Sequence, residues 1–166
     1  MNDTASAAWE LLGATLRARG ERLLLIEASA GGVLSAAATE APGASAWFAG
    51  ALLPYADALK QHWLGVAPEL IVAHGAVSTA LVEALLRGAA THLGGSPGWL
   101  FAESGIYGPG GARPGKAVGT VVVGVCDPQG RIECAQWQLS GERAQLRRQM
   151  QARVAAWLQA AVKAAA

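Results

Sequence analysis

Cysteine is scarce: only Cys126 and Cys134 occur among 166 residues. Two thiols cannot build a disulfide framework or a four-cysteine zinc site. Histidine is equally thin, and His62, His74 and His92 sit in separate segments without metal-ligand spacing. Charged residues make up 15% of the chain and balance to +1, leaving no electrostatic footprint for nucleic acid or for an anionic membrane. Aromatic residues are few at 6%, and the six tryptophans are dispersed at 9, 47, 63, 99, 137 and 157. Dispersion fits packing anchors better than a stacking platform for single strands. No uncharged apolar run approaches the ~20 residues of a membrane span. Asp3 and Glu10 interrupt the N-terminus and no apolar signal core follows, so a soluble cytoplasmic protein is expected.

What is present is apolar. Hydrophobic residues reach 52% and mean hydropathy is +0.29, enough for one domain spanning residues 1–166 to bury a core without staples. Trp9, Leu12 and Leu16 recur at helical spacing, with Gly20 as a stop. Arg22 to Glu27 is apolar on consecutive positions, as in a strand buried on both faces. An Ala-rich helix follows and ends before Pro42-Gly43. Trp47 to Tyr55 reads as a second strand, Ala58 to Leu64 as a short helix, and Pro68 opens another turn. Ser78 is placed to cap a helix from Thr79 to Leu93, broken by Gly94 to Pro97. Trp99 to Ala102 and Val118 to Cys126 read as strands. Asp127-Pro-Gln-Gly130 has type I turn chemistry and leads to a strand from Arg131 to Leu139. Ser140 is expected to cap a long C-terminal helix with an inner stripe of Leu146, Met150, Val154, Trp157 and Ala161. The pattern predicts a single three-layer α/β domain with a mixed, mostly parallel sheet, a late β-hairpin and a long C-terminal helix.

Ligands of open α/β sheets collect beyond the carboxyl ends of strands. Two loops have that address. Glu27 to Gly32 enters a helix, and its glycines with the free N–H groups of the helix start favour an anion such as phosphate. Ser104 to Gly111 is a connector rich in turn formers, or a wall of backbone donors around a nucleotide-sized anion. Arg143 lies three residues before Leu146 and is expected to project from the buried face of the last helix, where it needs a carboxylate or phosphate partner. Arg147 and Arg148 are expected to be solvated or interfacial. Glu103 is expected to point away from Ser104 and is not taken as a site residue.

On Ile26-Glu27-Ala28-Ser29-Ala30-Gly31-Gly32, Tyr55 with Lys60, His74-Gly-Ala-Val-Ser78, Gly105-Ile106, Gly108-Pro109, Val118 to Val121 and Ser140-Gly141 with Arg143, the chain resembles the CinA C-terminal-domain family. Its members include nicotinamide mononucleotide (NMN) deamidases. The resemblance implies hydrolysis of a nicotinamide carboxamide by a serine nucleophile and a lysine base, with no metal and no cofactor. It places Ala28 where the family has its serine, leaving Ser29 beside it as substitute nucleophile and Lys60 as base. Tyr55, Ser104, Gly31, Gly32, Gly105, Gly108 and Arg143 then contact the ligand. Glu27 anchors the loop, with Lys60 or Arg143 as its cation. Tyr107 replaces a small residue and would intrude on the pocket. Without the resemblance, Lys60 reads as a snorkelling surface lysine, Tyr55 as a core tyrosine and Ser104 as a strand-end cap. Three functions follow: an NMN amidohydrolase, a degenerate relative that binds a nucleotide or phosphate without turnover, or a self-associating homo-oligomeric module.

Overall fold

An unbroken apolar run supports a strand only where both faces are covered, and the central run of this chain is covered by two helical layers. The computed structural model describes residues 3–92 and 98–165. In chain order the elements are α1 (Asp3–Arg19), β1 (Arg22–Glu27), α2 (Val33–Glu40), a short 3₁₀ turn (Ala44–Ala46), β2 (Phe48–Leu52), α3 (Asp57–Leu64), α4 (Pro68–His74), α5 (Thr79–His92), β3 (Gly98–Gly105), β4 (Thr120–Cys126), β5 (Ile132–Gln138) and α6 (Arg143–Ala164). The sheet order is β2-β1-β3-β4-β5. β1 pairs parallel with β2 and β3, while β4 pairs antiparallel with β3 and β5. Four of the five strands therefore run one way and β4 runs against them. The β4–β5 hairpin turns at Asp127, whose carbonyl accepts from the Gly130 N–H at 2.9 Å and whose carboxylate accepts from the Gln129 and Arg131 amides.

Alternate residues face opposite layers. Leu23 and Leu25, Phe101, and Val121, Val123 and Val125 pack with Trp9, Leu12 and Leu16 of α1, with α2 and with the stripe of α6. Ile26, Leu100, Ala102 and Val122 pack instead with Leu64 of α3 and with Leu81, Val82, Leu85 and Leu86 of α5. On the first face Trp157 meets Phe101 and Trp137 edge-on. No helix among the described residues is long and apolar enough to cross a membrane.

Several local expectations change. Ser140 does not cap α6; Glu142 does, its side chain accepting from the Gln145 amide while its own N–H donates to Gln145 Oε1 at 2.8 Å. A reciprocal pair satisfies two orphan groups where one hydroxyl would satisfy one. The buried stripe of α6 includes Ala155, Leu158 and Val162, and Trp157 and Ala161 lie at its edge. β2 stops at Leu52, so Tyr55 is beyond the strand and 57% exposed, not a core tyrosine. β3 runs to Gly105, three residues further than its apolar core predicts. The expected break at Gly94 to Pro97, and Leu93, lie outside the described residues.

α3 and α5 cross closely because α5 carries Gly88, where an added Cβ would collide with the backbone carbonyl of Leu64. Gly-to-Ala inside a helix ordinarily gains up to about 1 kcal/mol. Here the sign reverses: Gly88→Ala is expected to destabilise the fold by about 1–3 kcal/mol through overpacking, read as a lower urea midpoint at unchanged slope.

Candidate functional site

Glu27 and Glu103 end the apolar runs of β1 and β3 and are register partners across the parallel pair. Both carboxylates are fully buried. Neither forms an ion pair among the described residues; each is held by N–H donors of the turn between β1 and α2. Glu27 accepts from the amides of Gly32 at 2.9 Å, Leu34 at 3.2 Å and Ser35 at 2.8 Å. Glu103 Oε1 accepts from the amides of Ser29 and Ala30, both at 2.8 Å. Glu103 Oε2 accepts from the Ser29 hydroxyl at 2.6 Å. Ser29 Oγ in turn accepts from the Gly105 amide at 2.6 Å. The two loops singled out in the sequence are thereby joined. Gly31 and Gly32, with φ of 70° and 88°, supply the left-handed turn that points these amides inward.

The chain fills its own anion nest. Amides expected to bind a phosphate are taken by Glu27, which corrects both the open-nest expectation and the expected cation partner for Glu27. Burial raises the Glu103 carboxyl above the ordinary glutamate range, against the lowering effect of the Ser29 and Ala30 hydrogen bonds. Tyr107 is buried beside it, with its hydroxyl directed to the Glu103 carboxylate. Burial, then the charges of Glu103 and Glu27, push that phenol well above its usual value, so it stays neutral and keeps its proton.

The arginines exchange their expected roles. Arg147 Nε donates to the Ala30 carbonyl at 3.0 Å and its Nη2 to the Gly31 carbonyl at 3.1 Å. Arg143, first residue of α6, is exposed, because burial along that helix begins only at Leu146; its Nη1 donates to the Gly108 carbonyl at 3.1 Å. Neither guanidinium forms an ion pair among the described residues. Both line a cavity of about 650 Å³ whose other walls include Tyr107, Gly108, Pro109, Val118 and Glu142.

Lys60 is elsewhere. It is buried on α3, and its Nζ donates to Asp57 Oδ1 at 2.8 Å and to the Tyr55 carbonyl at 3.0 Å. No hydrogen bond or ion pair joins it to Ser29, Glu27 or Glu103. Ala28 packs in the cluster that contains Leu64 of α3, whereas the Ser29 hydroxyl meets Glu103 on the face of Phe101. A shift of one residue thus changes which face the side chain serves. Ser104 also faces the α3–α5 side, its hydroxyl donating to the Ala76 carbonyl at 2.5 Å. Among the described residues no group of three or more His, Cys, Asp or Glu could hold a metal ion. Glu103 is the residue that sequence reasoning missed; its signal was a carboxylate two positions beyond Phe101, on the same face of an extended β3.

A family model described as the CinA C-terminal domain matches residues 5–162. A CinA-like protein of Synechocystis is 44% identical over 121 residues, covering 73% of this chain and 29% of that protein. A CinA-like protein of Anaeromyxobacter is 43% identical over 140 residues, covering 84% and 34%. The chain therefore spans about a third of the length of these curated relatives. Among solved structures, a competence-damaged protein (CinA) superfamily protein of Klebsiella pneumoniae superposes with a TM-score of 0.89 at 28% identity, covering 98% of this chain and 99% of that one. A competence or damage-inducible protein of Enterobacter asburiae gives 0.89 at 27%, covering 97% and 99%.

Removing Glu27 leaves buried amides of the α2 start without an acceptor. Glu27→Ala is expected to cost about 3 kcal/mol or more, with faster hydrogen exchange at Gly32, Leu34 and Ser35. For Glu103 the sign follows from its raised folded-state value. Its contribution is fully present below the unfolded value near 4.5 and is lost as pH rises through the higher folded value. The stability of the wild type relative to Glu103→Gln should therefore fall as pH rises across that window, read by urea denaturation.

Proposed function

Because the chain belongs to the CinA C-terminal domain family, we propose that its cavity binds a phosphorylated pyridine nucleotide of the NMN kind. One observation carries this reading: two guanidinium groups with no ion-pair partner among the described residues line a cavity of about 650 Å³, a size ordinary for small-molecule sites. Guanidinium groups prefer oxyanions in bidentate geometry. Arg143 commits only Nη1 and Arg147 only Nε and Nη2 to carbonyls, so both keep N–H groups for a phosphate. The neutral Tyr107 phenol in the cavity wall supplies a flat, apolar surface for the base.

Amide hydrolysis by the serine–lysine couple of the family is not the route these residues favour. By resemblance of the loop, Ala28 occupies the nucleophile position. Lys60 Nζ is instead engaged by Asp57 Oδ1 at 2.8 Å and the Tyr55 carbonyl at 3.0 Å, and no hydrogen bond joins it to Ser29. The reading is thus a nucleotide-binding CinA domain without Lys60-driven turnover.

NMN is expected to raise the melting temperature, with a gain of about 2.7 kcal/mol when ligand stands at about a hundred times Kd. Arg143→Ala should weaken NMN binding about tenfold, by loss of a charge-assisted contact, measured by titration calorimetry. No thermal shift with NMN or with nicotinate mononucleotide would remove this function.

A further inference from the structure

We infer that β5 is the seam of a symmetric dimer, in which the open edge of the sheet pairs antiparallel with the same strand of a second copy of this chain. The inference stands apart from the nucleotide reading above. β5 closes the sheet at one end and pairs only with β4. The Leu139 N–H donates to the Gly119 carbonyl and the Arg131 carbonyl accepts from the Asp127 amide, so the odd-numbered residues of this segment address β4. By the alternation of an antiparallel ladder, the amides and carbonyls of Ile132, Cys134, Gln136 and Gln138 point away from the sheet.

Monomeric proteins guard such an edge with Pro, Lys, a bulge or a very short strand. The opposite edge is guarded in this way. β2 has five residues, shifts register against β1 between Leu23 and Leu24, and is followed by Pro54. β5 has none of these devices. Its seven residues hold unbroken register with β4, and Glu133 is its one charged residue.

Charge complementarity selects a second copy as the occupant. Pairing that uses the whole strand is centred on Ala135, which then meets its own symmetry mate, while Cys134 meets Gln136 and Glu133 meets Trp137. This register also sets the outward groups of the even-numbered residues opposite one another and closes about eight hydrogen bonds. Glu133 shares the α6 side of the sheet with Ala135 and Trp137. Arg153 of α6 lies over the Trp137 ring, 4.5 Å from its centroid, on a helix with five cations and no carboxylate. Glu133 and Arg153 are both exposed, and neither forms an ion pair among the described residues. In the dimer Glu133 of each copy sits opposite the Trp137 of the other, with Cα atoms about 4.5 Å apart, and its carboxylate meets the arginine stacked there. The two-fold axis makes that contact twice.

Sedimentation equilibrium of the whole chain over a concentration series should show a species of twice 16.9 kDa. Glu133→Arg and Arg153→Glu should each weaken dimerisation about tenfold or more, by setting like charges at both contacts. The double variant should recover most of that loss, which damage to the fold would not do. Gln136→Pro removes an outward N–H and leaves the ladder to β4 intact, so it should give a monomer with an unchanged circular dichroism spectrum. Ala135→Cys reads the register: it sets two thiols on the axis with Cα atoms about 4.5 Å apart, within disulfide range, and mild oxidation should give a covalent dimer on a non-reducing gel. A wild type that is monomeric at every concentration leaves the edge to a strand of another protein and overturns the inference. A dimer indifferent to Glu133→Arg and Gln136→Pro, or one that Ala135→Cys fails to cross-link, overturns it as well by moving the contact to another surface or register.

Discussion

Two carboxylates side by side on one face of a sheet, both out of water, should not be tolerated. Glu27 and Glu103 occupy paired positions at the carboxyl ends of β1 and β3 and are fully buried, with no cation in ion-pair contact among the described residues. Five backbone amides and one hydroxyl converge on them instead. Hydrogen bonds to a charged acceptor contribute about 1.5–3 kcal/mol each, which is the scale needed to offset the several kcal/mol of desolvation for each ion. The constraint runs both ways. The turn from Ala28 to Gly32 has one conformation because the carboxylates need its amides, and the carboxylates stay buried because the turn supplies them.

Everything at this end of the sheet is positioned by that exchange. Drawing Ser29 to Glu103 commits its side chain to the α1–α2–α6 face, and leaves Ala28 to pack toward α3, the helix that carries Lys60. Arg147 then grips the carbonyls that the turned amides leave pointing outward, at Ala30 and Gly31. The last helix is tied to the first loop by this contact, and to the second by Arg143 at Gly108. A cavity forms where the two ties meet. The same alternation of strand residues that built the core thus decides which polar groups can meet in chemistry.

The architecture was legible because hydrophobic period and turn residues report local structure. β1, α5 and the Asp127–Gly130 turn came out within a residue or two, for reasons contained in each segment. Capping by Ser140 failed on a detail inside the segment, since Glu142 and Gln145 satisfy each other better than one hydroxyl could. Glu103 was illegible for a different reason. Its partners Ser29 and Ala30 lie more than seventy residues away, and no local pattern announces that a glutamate will serve as acceptor for a distant turn. Arg143 and Arg147 were misassigned because helical phase alone does not say where along α6 the core begins; that is fixed by Leu146.

The filled nest also decides what the cavity can attract. In a chain without Glu103, the amides of Ser29 and Ala30 would face an incoming anion and compete with the arginines for it. Here those amides are satisfied internally, so among the described residues lining the cavity positive charge comes from Arg143 and Arg147 of α6, with Glu142 beside them.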